Sequence, residues 1–350
     1  MSEPRIVFVC GGTGGHVYPA IALAQRLEGY NPLFIGSTHR MDSRIVPKYG
    51  FSYEGIPESK WRLATFIKLF FKSRNILKKH AVKAMVGAGG FYTFAVVMAA
   101  FSLKIPVFLL EQNVIPGRTN RMLQYFARKI YLSFPESLSY FSSCDALVTG
   151  NPVRHFFLED DVFTLFKELV FPAHPVVLFF GGSQGAMALN QLVFDHYSYF
   201  LHQPFVAIHV TGQTYYDAHF HEPKVTVYRN DDSEIKIVSM PYFEKMDELY
   251  RRAALVICRS GAMTLSEIEA FHVPVIMVPY PYSKDNHQVA NAKVFQEKGF
   301  GVYFEEKALQ FSDIQAYFSH PQDLLTASAH EDSSADTLLK DLYGILRTDY

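Results

Sequence analysis

A glutamate one turn inside a predicted helix is the first residue whose position suggests chemistry. Residues 255–258 predict a buried strand because they are apolar, with β-branched Val and Ile at the centre. Gly261 then provides a turn, and Thr264 or Ser266 would cap the helix that follows. A helix N-terminus binds phosphate, and Glu267 could accept hydrogen bonds from two ribose hydroxyls. The stretch therefore predicts a nucleotide site. The alternative is an ordinary strand-to-helix corner in which the carboxylate only interacts favourably with the helix dipole.

A histidine stands directly after the glycine-rich segment GGTGG. Residues 6–10 predict an apolar strand and the glycines lead into a helix, so His16 lies where backbone donors and substrate would meet. Imidazole exchanges protons near neutral pH, which suits general-base catalysis. The alternative is that His16 only shapes the loop through hydrogen bonds.

Two amides follow a predicted buried strand in the second half of the chain. Residues 275–278 form that strand, and the polar segment 279–291 leads into a helix. Gln288 and Asn291 lie three residues apart on one helical face, and each amide offers a donor and an acceptor to a sugar hydroxyl. The alternative is a simple N-terminal capping region.

One segment is strongly basic. Residues 60–83 contain eight Lys or Arg and no acidic residue, with apolar residues at helical spacing. A basic amphipathic helix of this kind suits an anionic membrane surface. The alternative is a solvated helix whose apolar stripe packs into its own domain.

Several common nucleotide motifs are missing. Val17 stands where the last glycine of a G-x-G-x-x-G fingerprint should be, which argues against an NAD dehydrogenase, and no P-loop motif occurs. No Asp-x-Asp pair offers a metal–diphosphate clamp, so neither a metal nor a cofactor is predicted. We expect helix ends together with Arg259 or Arg154 to neutralise diphosphate charge.

Composition narrows the class of protein. The 350 residues suit two domains, and the net charge of −1 argues against nucleic acid as a partner. Three cysteines without paired spacing fit reduced thiols. The longest uninterrupted apolar run, 94–101, is far shorter than the roughly 20 residues of a membrane span. The protein is therefore predicted to be soluble or peripheral.

These motifs need strands and helices that present them together. The pattern of strand, glycine turn and helix at 6–16 returns at 176–187, and each copy is followed by another strand ending in glycine. Alternating strands and helices predict an α/β fold with two doubly wound parallel sheets. Ligands gather at the carboxyl ends of such strands, so we expect a cleft between the domains, with the junction near 151–154.

Several of these motifs occur together in one known family. The chain resembles the MurG family in GGTGGHVYPA, LEQN (110–113), GNPVR (150–154), GGSQGA, CRSGAMTLSE and Gln288-x-x-Asn291, which follow the family's order. The resemblance implies a GT-B fold of two Rossmann-like domains facing across a cleft. Residues 1–154 would form the acceptor and membrane-facing domain, residues 155–332 would bind UDP-GlcNAc, and a helix at 333–350 would pack back on the first domain.

The resemblance also implies an inverting transfer of N-acetylglucosamine (GlcNAc) from UDP-GlcNAc to the C4 hydroxyl of N-acetylmuramic acid (MurNAc) in lipid I. The product would be lipid II, an intermediate of peptidoglycan synthesis. Such an enzyme would act as a peripheral protein on the cytoplasmic face of the inner membrane. Its partners would be both substrates, an anionic membrane surface reached by helix 60–83, and other cell-wall enzymes.

Site residues are carried over by position. Glu267 would hold the ribose, the backbone around Phe243 the uracil edge, and Ser183 and Arg154 the nucleotide and diphosphate. The donor would be lined by Ala262, Met263, Thr264, Leu265 and Ser266, and Asn113, Gln288 and Asn291 would contact the GlcNAc hydroxyls. From the acceptor side, Thr13, Gly14, Gly15 and His16 would face the reaction centre.

Inversion requires a base and stabilisation of the departing diphosphate. His16 is the first candidate for base or orienting residue, and Glu111 is the second candidate or a partner that fixes the site. Two positions depart from the family pattern. His287 replaces a second Gln, which puts one sugar contact in doubt, and Phe91 replaces a Tyr, which removes a hydroxyl.

Two other functions remain open at this point. A UDP-GlcNAc 2-epimerase shares the architecture and donor pocket but needs acids for elimination and no lipid surface. A catalytically silent nucleotide-sugar sensor would belong to a different class. The LEQN motif and the basic helix favour a membrane-bound acceptor, and His16, Glu111 and Glu267 argue against a silent protein.

Overall fold

The chain folds into two compact units. The computed structural model describes residues 4–57, 63–154, 175–182, 185–222, 225–243, 245–328 and 333–348. Unit 1 consists of Met1–His155 and Glu331–Tyr350, and unit 2 of Phe156–His330. Ser183 and Lys60, two residues singled out in the sequence, lie outside the described residues.

Unit 1 contains a seven-stranded sheet in which all neighbouring strands are parallel, in the order β3-β2-β1-β4-β5-β6-β7. The strands are β1 Arg5–Val9, β2 Asn31–Ser37, β3 Ser52–Ile56, β4 Val82–Gly87, β5 Val107–Glu111, β6 Lys129–Leu132 and β7 Asp145–Val148. The helices between them are α1 Gly14–Gln25, α2 Met41–Lys48, α3 Leu63–Lys79, α4 Phe91–Ser102 and α5 Arg118–Leu123, with 3-10 helices at Gln124–Phe126 and Pro135–Tyr140.

Unit 2 also has a seven-stranded sheet, in the order β10-β11-β9-β8-β12-β13-β14, and only the β10–β11 pair is antiparallel. Its strands are β8 Val176–Phe180, β9 Val206–Val210, β10 Thr226–Arg229, β11 Ile235–Met240, β12 Ala253–Cys258, β13 Val275–Met277 and β14 Gly301–Tyr303. The described helices are α6 Met187–Asp195, α7 Tyr197–Phe200, α8 Gln213–His219, α9 Met246–Arg252, α10 Ala262–Ala270, α11 His287–Glu297 and α12 Phe311–Gln315, with 3-10 helices at Lys284–Asn286 and Pro321–Leu324.

The sheet of unit 1 is buried on both faces, which explains its continuous apolar strands. Val7 and Val9 of β1 belong to one apolar cluster, whereas Ile6 and Phe8 belong to another. Successive side chains of a strand point to opposite faces, so a strand covered on both sides must be apolar throughout. The prediction of two doubly wound α/β domains is confirmed.

The last helix, α13 Ser334–Thr348, covers part of one face of the unit 1 sheet. Its leucines at helical spacing are buried, each contributing about 1.5–3 kcal/mol of transfer free energy: Leu338, Leu342 and Leu346. Asp341 accepts a hydrogen bond from Tyr131 Oη at 2.9 Å and pairs with Lys129 Nζ, also at 2.9 Å. These polar contacts fix the position of the helix along the sheet.

The basic helix α3 presents two different faces. Leu69 belongs to a core cluster of unit 1, and the partly buried Phe66 and Phe70 pack against it. Ile67 and Phe71, in contrast, are 46% and 57% exposed. The apolar residues therefore divide between a packed stripe and an exposed pair. None of the described helices combines the length and apolar composition needed to cross a bilayer.

Candidate active site

Each sheet changes its winding direction at one pair of neighbouring strands. In unit 1 this switch point separates β1 from β4, and in unit 2 it separates β8 from β12. Ligands of open α/β sheets bind at the carboxyl ends of strands at such points. The glycine turns noted in the sequence follow these four strands.

In unit 1 the two glycine turns are in contact. A Cβ built on Gly11 would lie 2.5 Å from the Cα of Gly90 and 2.9 Å from the carbonyl oxygen of Gly89. No other residue type fits without moving the backbone. The turn after β1 is thus packed against the turn after β4, which brings Thr13 and the start of α1 to the switch point.

His16 lies at this switch point, in the first turn of α1. Its Nδ1 is 3.0 Å from Thr13 Oγ1, and a Cβ on Gly89 would lie 3.0 Å from its Nε2. The glycine therefore makes room for the ring, which remains partly exposed. When Nδ1 donates its hydrogen to Thr13 Oγ1, Nε2 carries the lone pair and can accept a proton.

Glu111 is buried at the end of β5 and holds the loop that follows it. Its carboxylate accepts hydrogen bonds from the backbone N–H of Asn113 at 3.1 Å, from the N–H of Gly117 at 3.0 Å, and from Asn120 Nδ2 at 2.9 Å. Burial raises the pKa of the Glu111 carboxyl, and these donors oppose that rise. The geometry suits a residue that fixes the loop carrying Asn113.

Arg154 is enclosed by two tyrosines of unit 1. Its Nη1 donates to Tyr49 Oη at 2.9 Å, and its Cζ lies 3.9 Å from the centre of the Tyr18 ring. The residue is 5% exposed, so it packs against α1 and α2 rather than extending into solvent.

The switch point of unit 2 is formed in the same way. A Cβ on Gly181 would lie 2.1 Å from the backbone nitrogen of Ala186, and one on Gly185 would lie 2.1 Å from the carbonyl oxygen of Thr211. The close turn after β8 therefore depends on these glycines. Ser183, which was assigned to the nucleotide, lies within this turn but outside the described residues.

The helix that follows β12 begins earlier than its hydroxyl residues suggested. Gly261 is the N-cap with extended dihedral angles, and α10 starts at Ala262 without a side-chain cap. The prediction that Thr264 or Ser266 caps the helix is therefore wrong, because both lie inside it. Glu267 is 5% exposed. The residues assigned to the donor lie along the first two turns: Ala262, Met263, Thr264, Leu265, Ser266 and Glu267.

The carboxylate of Glu267 faces α9. Tyr250 Oη donates a hydrogen bond to Glu267 Oε2 at 3.3 Å. Phe243, the residue assigned to the uracil edge, lies half-buried between β11 and α9. Phe243 therefore precedes α9 in the sequence, and Glu267 contacts α9 through Tyr250.

Arg259 connects the ends of two strands. Its Nη1 donates to the carbonyl oxygens of Val278 at 3.0 Å and Pro279 at 3.2 Å, and its Nη2 forms an ion pair with Glu306. The guanidinium also lies 5.4 Å from the centre of the Tyr280 ring. These contacts hold the ends of β12 and β13 in register at the switch-point edge.

Gln288 and Asn291 fix the turn between β12 and α10. Gln288 Oε1 accepts a hydrogen bond from the backbone N–H of Tyr280 at 2.8 Å. The backbone carbonyl oxygen of Gln288 accepts one from Ser260 Oγ, also at 2.8 Å. Asn291 Nδ2 donates to the carbonyl oxygen of Ser260 at 3.2 Å. The Asn291 amide therefore holds the turn after β12, whereas the Gln288 amide holds the segment after β13.

Asn120 is a residue of this site that no sequence pattern indicated. This residue of α5 is 2% exposed, and its Nδ2 donates to the carbonyl oxygen of Leu110 at 2.8 Å as well as to Glu111. It also lies near Gly89, the glycine against which His16 packs, since a Cβ there would be 3.9 Å from Asn120 Nδ2. An isolated Asn in a polar segment has no periodic signal, so only the fold shows this contact. The described residues contain no group of three His, Cys, Asp or Glu side chains placed to hold a metal ion.

Both halves of the chain match known domains. The glycosyltransferase family 28 N-terminal domain matches residues 6–132, and the family 28 C-terminal domain matches residues 176–340. Among solved structures, a MurG protein from Acinetobacter baumannii has a TM-score of 0.71 and 26% identity, covering 96% of this chain and 98% of its own. A UDP-GlcNAc 2-epimerase from Neisseria meningitidis has a TM-score of 0.67 at 12% identity, covering 97% and 100%, which shows the fold alone.

Curated relatives match along nearly the whole chain. A protein of Oenococcus oeni named UDP-N-acetylglucosamine–N-acetylmuramyl-(pentapeptide) pyrophosphoryl-undecaprenol N-acetylglucosamine transferase is 35% identical, covering 91% of this chain and 90% of the relative. A protein of the same name from Caldanaerobacter subterraneus is 34% identical and covers 98% and 99%.

Proposed function

Because the chain belongs to glycosyltransferase family 28 and to its MurG group, we propose that it transfers GlcNAc from UDP-GlcNAc to the C4 hydroxyl of MurNAc in lipid I. The product is lipid II, an intermediate of peptidoglycan synthesis. The observation that carries this proposal is the similarity, along nearly the whole chain, to transferases that share one name. The switch points support it, since each unit has a glycine-lined corner for one substrate.

The proposed mechanism begins on unit 1. His16 accepts the proton of the attacking C4 hydroxyl, and its contact with Thr13 Oγ1 orients the ring. Glu111 acts as the fixing partner: its buried carboxylate anchors the loop that carries Asn113. Gly15, where a Cβ would meet no atom within 4 Å, leaves room for the acceptor next to His16. Attack from the face opposite the departing UDP inverts the anomeric carbon.

Unit 2 would hold the donor. Glu267 binds the ribose hydroxyls, the backbone around Phe243 binds uracil, and the N-terminus of α10 stabilises the negative charge of the departing diphosphate. Ser183 completes the nucleotide contacts. Arg154 is enclosed by Tyr18 and Tyr49 in unit 1, so the diphosphate charge is left to the helix N-terminus. The GlcNAc hydroxyls are bound by Asn113, Gln288 and Asn291.

The epimerase and sensor alternatives have weaker support. The likeness to the epimerase rests on 12% identity, which carries no argument beyond the fold. The transferase relatives are about three times as similar in sequence and cover 91% and 98% of the chain. No observation specifically favours a silent sensor.

Product analysis tests the proposed reaction. Purified protein is incubated with radiolabelled UDP-GlcNAc, with and without a lipid I analogue. We expect label to move to the lipid only when the acceptor is present. Label that stays on UDP with acceptor present, or that appears as the manno sugar without acceptor, would contradict the transferase function.

We also propose that the exposed face of α3 contacts the anionic cytoplasmic surface of the inner membrane. Ile67 and Phe71 are exposed on this face, and Lys68 and Lys78 share it at helical spacing. Lys72 is less suitable as a probe, because its Nζ donates to the carbonyl oxygen of Gly55 within unit 1. Apolar insertion combined with basic charge gives reversible peripheral binding. Other cell-wall enzymes are further candidate partners at this surface.

A double charge reversal on this face should weaken membrane binding. Basic residues near an anionic surface each contribute measurably, so we expect Lys68→Glu with Lys78→Glu to lower partitioning onto anionic vesicles at least about tenfold. Sedimentation with phosphatidylglycerol vesicles measures this change. The matched control is Lys293→Glu with Lys307→Glu, which makes the same charge change at exposed residues of unit 2. Equal loss in both double variants would refute the assignment to α3.

A further inference from the structure

Arg40 lies against the first glycine turn of unit 1. Gly12 has a φ of +72°, and a Cβ built on it would lie 2.5 Å from Arg40 Cδ and 3.0 Å from Arg40 Cβ. The aliphatic stem of Arg40 therefore occupies the space that any side chain at position 12 would need. The residue is exposed, so the stem packs on the turn while the guanidinium begins one bond beyond Cδ. A full positive charge is thus held at the turn that continues into His16.

The segment that presents Arg40 is fixed from inside the unit. Ser37 Oγ accepts hydrogen bonds from the backbone N–H of His39 at 3.1 Å and of Arg40 at 3.3 Å. The backbone N–H of Ser37 donates to Asp42 Oδ2 at 2.8 Å, and its carbonyl oxygen accepts from Tyr53 Oη at 2.6 Å. Ser37 and Asp42 are fully buried. An exposed arginine is therefore carried on a well-anchored turn.

The surface beside this arginine is open where a substrate would approach His16. A Cβ on Gly15 would meet no atom within 4 Å, and the residue is exposed. A Cβ on Gly14 would lie 3.7 Å from Met41 Cε, so the start of α1 is next to the residue that follows Arg40. The cation, the open glycine and the imidazole therefore belong to one surface of unit 1.

The proposed acceptor has a group that matches this charge. The transferases similar to this chain are named for a pyrophosphoryl-undecaprenol acceptor, in which a diphosphate lies between the sugar and the lipid. Arginine binds phosphate oxygens in pairs through its planar guanidinium. Resting on the proposed function, we propose that Arg40 binds the pyrophosphoryl group of the lipid acceptor and so sets the position of the acceptor sugar relative to His16.

Binding measurements separate this role from a packing role. The probes are a short-chain prenyl-pyrophosphoryl-MurNAc-pentapeptide and its monophosphoryl counterpart, and calorimetry gives the Kd of each. Arg40→Met keeps the stem over Gly12 and removes the charge. We expect it to raise the Kd of the pyrophosphoryl probe about 10- to 100-fold and that of the monophosphoryl probe much less. Arg40→Lys should fall between Arg40→Met and the wild type.

The matched control is Arg44→Met, which removes an exposed arginine one turn along α2. Its Kd for the pyrophosphoryl probe should remain within about twofold of wild type, and the Kd of UDP should be unchanged in all variants. A wild-type Kd in Arg40→Met, or an equal loss in Arg44→Met, overturns the proposal. If Arg40→Met weakens probe binding but the wild-type protein transfers no sugar, only the proposed function is overturned. A wild-type protein that binds neither probe overturns both.

Discussion

His16→Ala is expected to lower kcat about 10²- to 10⁴-fold, the range of general-base catalysis by a positioned side chain. The wild-type ring is oriented by Thr13 Oγ1 and rests in the space left by Gly89, and alanine removes its proton acceptor. The KM for UDP-GlcNAc should change little, since His16 makes no contact with the donor in the proposed mechanism. Steady-state kinetics across pH measures both quantities.

The shape of the pH profile separates the base from a loop-shaping residue. Loss of a base should remove the acid limb of the kcat profile, whereas loss of a loop contact should lower the whole profile evenly. His202→Ala, at an exposed histidine of unit 2, is the matched control. A kcat near the wild-type value across pH in His16→Ala would eliminate the base role.

The second large effect is expected at the ribose contact. Glu267→Gln should weaken UDP-GlcNAc binding by about 1.5–3 kcal/mol, because a carboxylate accepting two hydroxyl hydrogen bonds becomes a neutral amide. That range corresponds to about a 10- to 150-fold rise in Kd. Glutamine has the same shape, so the contact with Tyr250 Oη can persist and the fold should be retained. Calorimetric titration measures the change.

A deoxynucleotide sharpens this test. The wild type should bind UDP more tightly than 2′-deoxy-UDP, and Glu267→Gln should lose most of that preference, because the missing hydroxyl is the group the carboxylate binds. The matched control is Glu269→Gln on the same helix, whose carboxylate pairs with Lys298 at 3.3 Å. Equal preference for the two nucleotides in the wild type would refute the ribose role.

Sequence patterns predicted most of the strands that carry these sites. Continuous apolar runs identified β8 at 176–180 with its observed bounds, and the run at 255–258 falls within β12. Strands of this kind are recognisable because both faces of each sheet are covered, which demands apolar residues at every position. Strand order is not encoded in that way. The pairing of β1 with β4 brings together glycine turns that are separated by many residues in the sequence.

Side-chain environments were harder to predict than strands. Nothing in LEQN indicates that Glu111 is 2% exposed and surrounded by donors, because those donors come from the loop and from Asn120 after folding. Helix α3 shows a related limit. Its apolar residues fall at one periodicity, but Phe66 packs while Ile67 is exposed, and only the position of α4 decides between them.

The attachment of α13 to unit 1 has a consequence for how the chain is made. Its leucines complete an apolar cluster that includes Phe8 and Phe34, yet a ribosome reaches Ser334 roughly 190 residues after the end of β7. At about 5–20 residues per second, that cluster waits about 10–40 s for its last members. Unit 2 is one continuous segment, synthesised within that interval. It can therefore mature before unit 1, so the half of the chain that emerges first is the last to be completed.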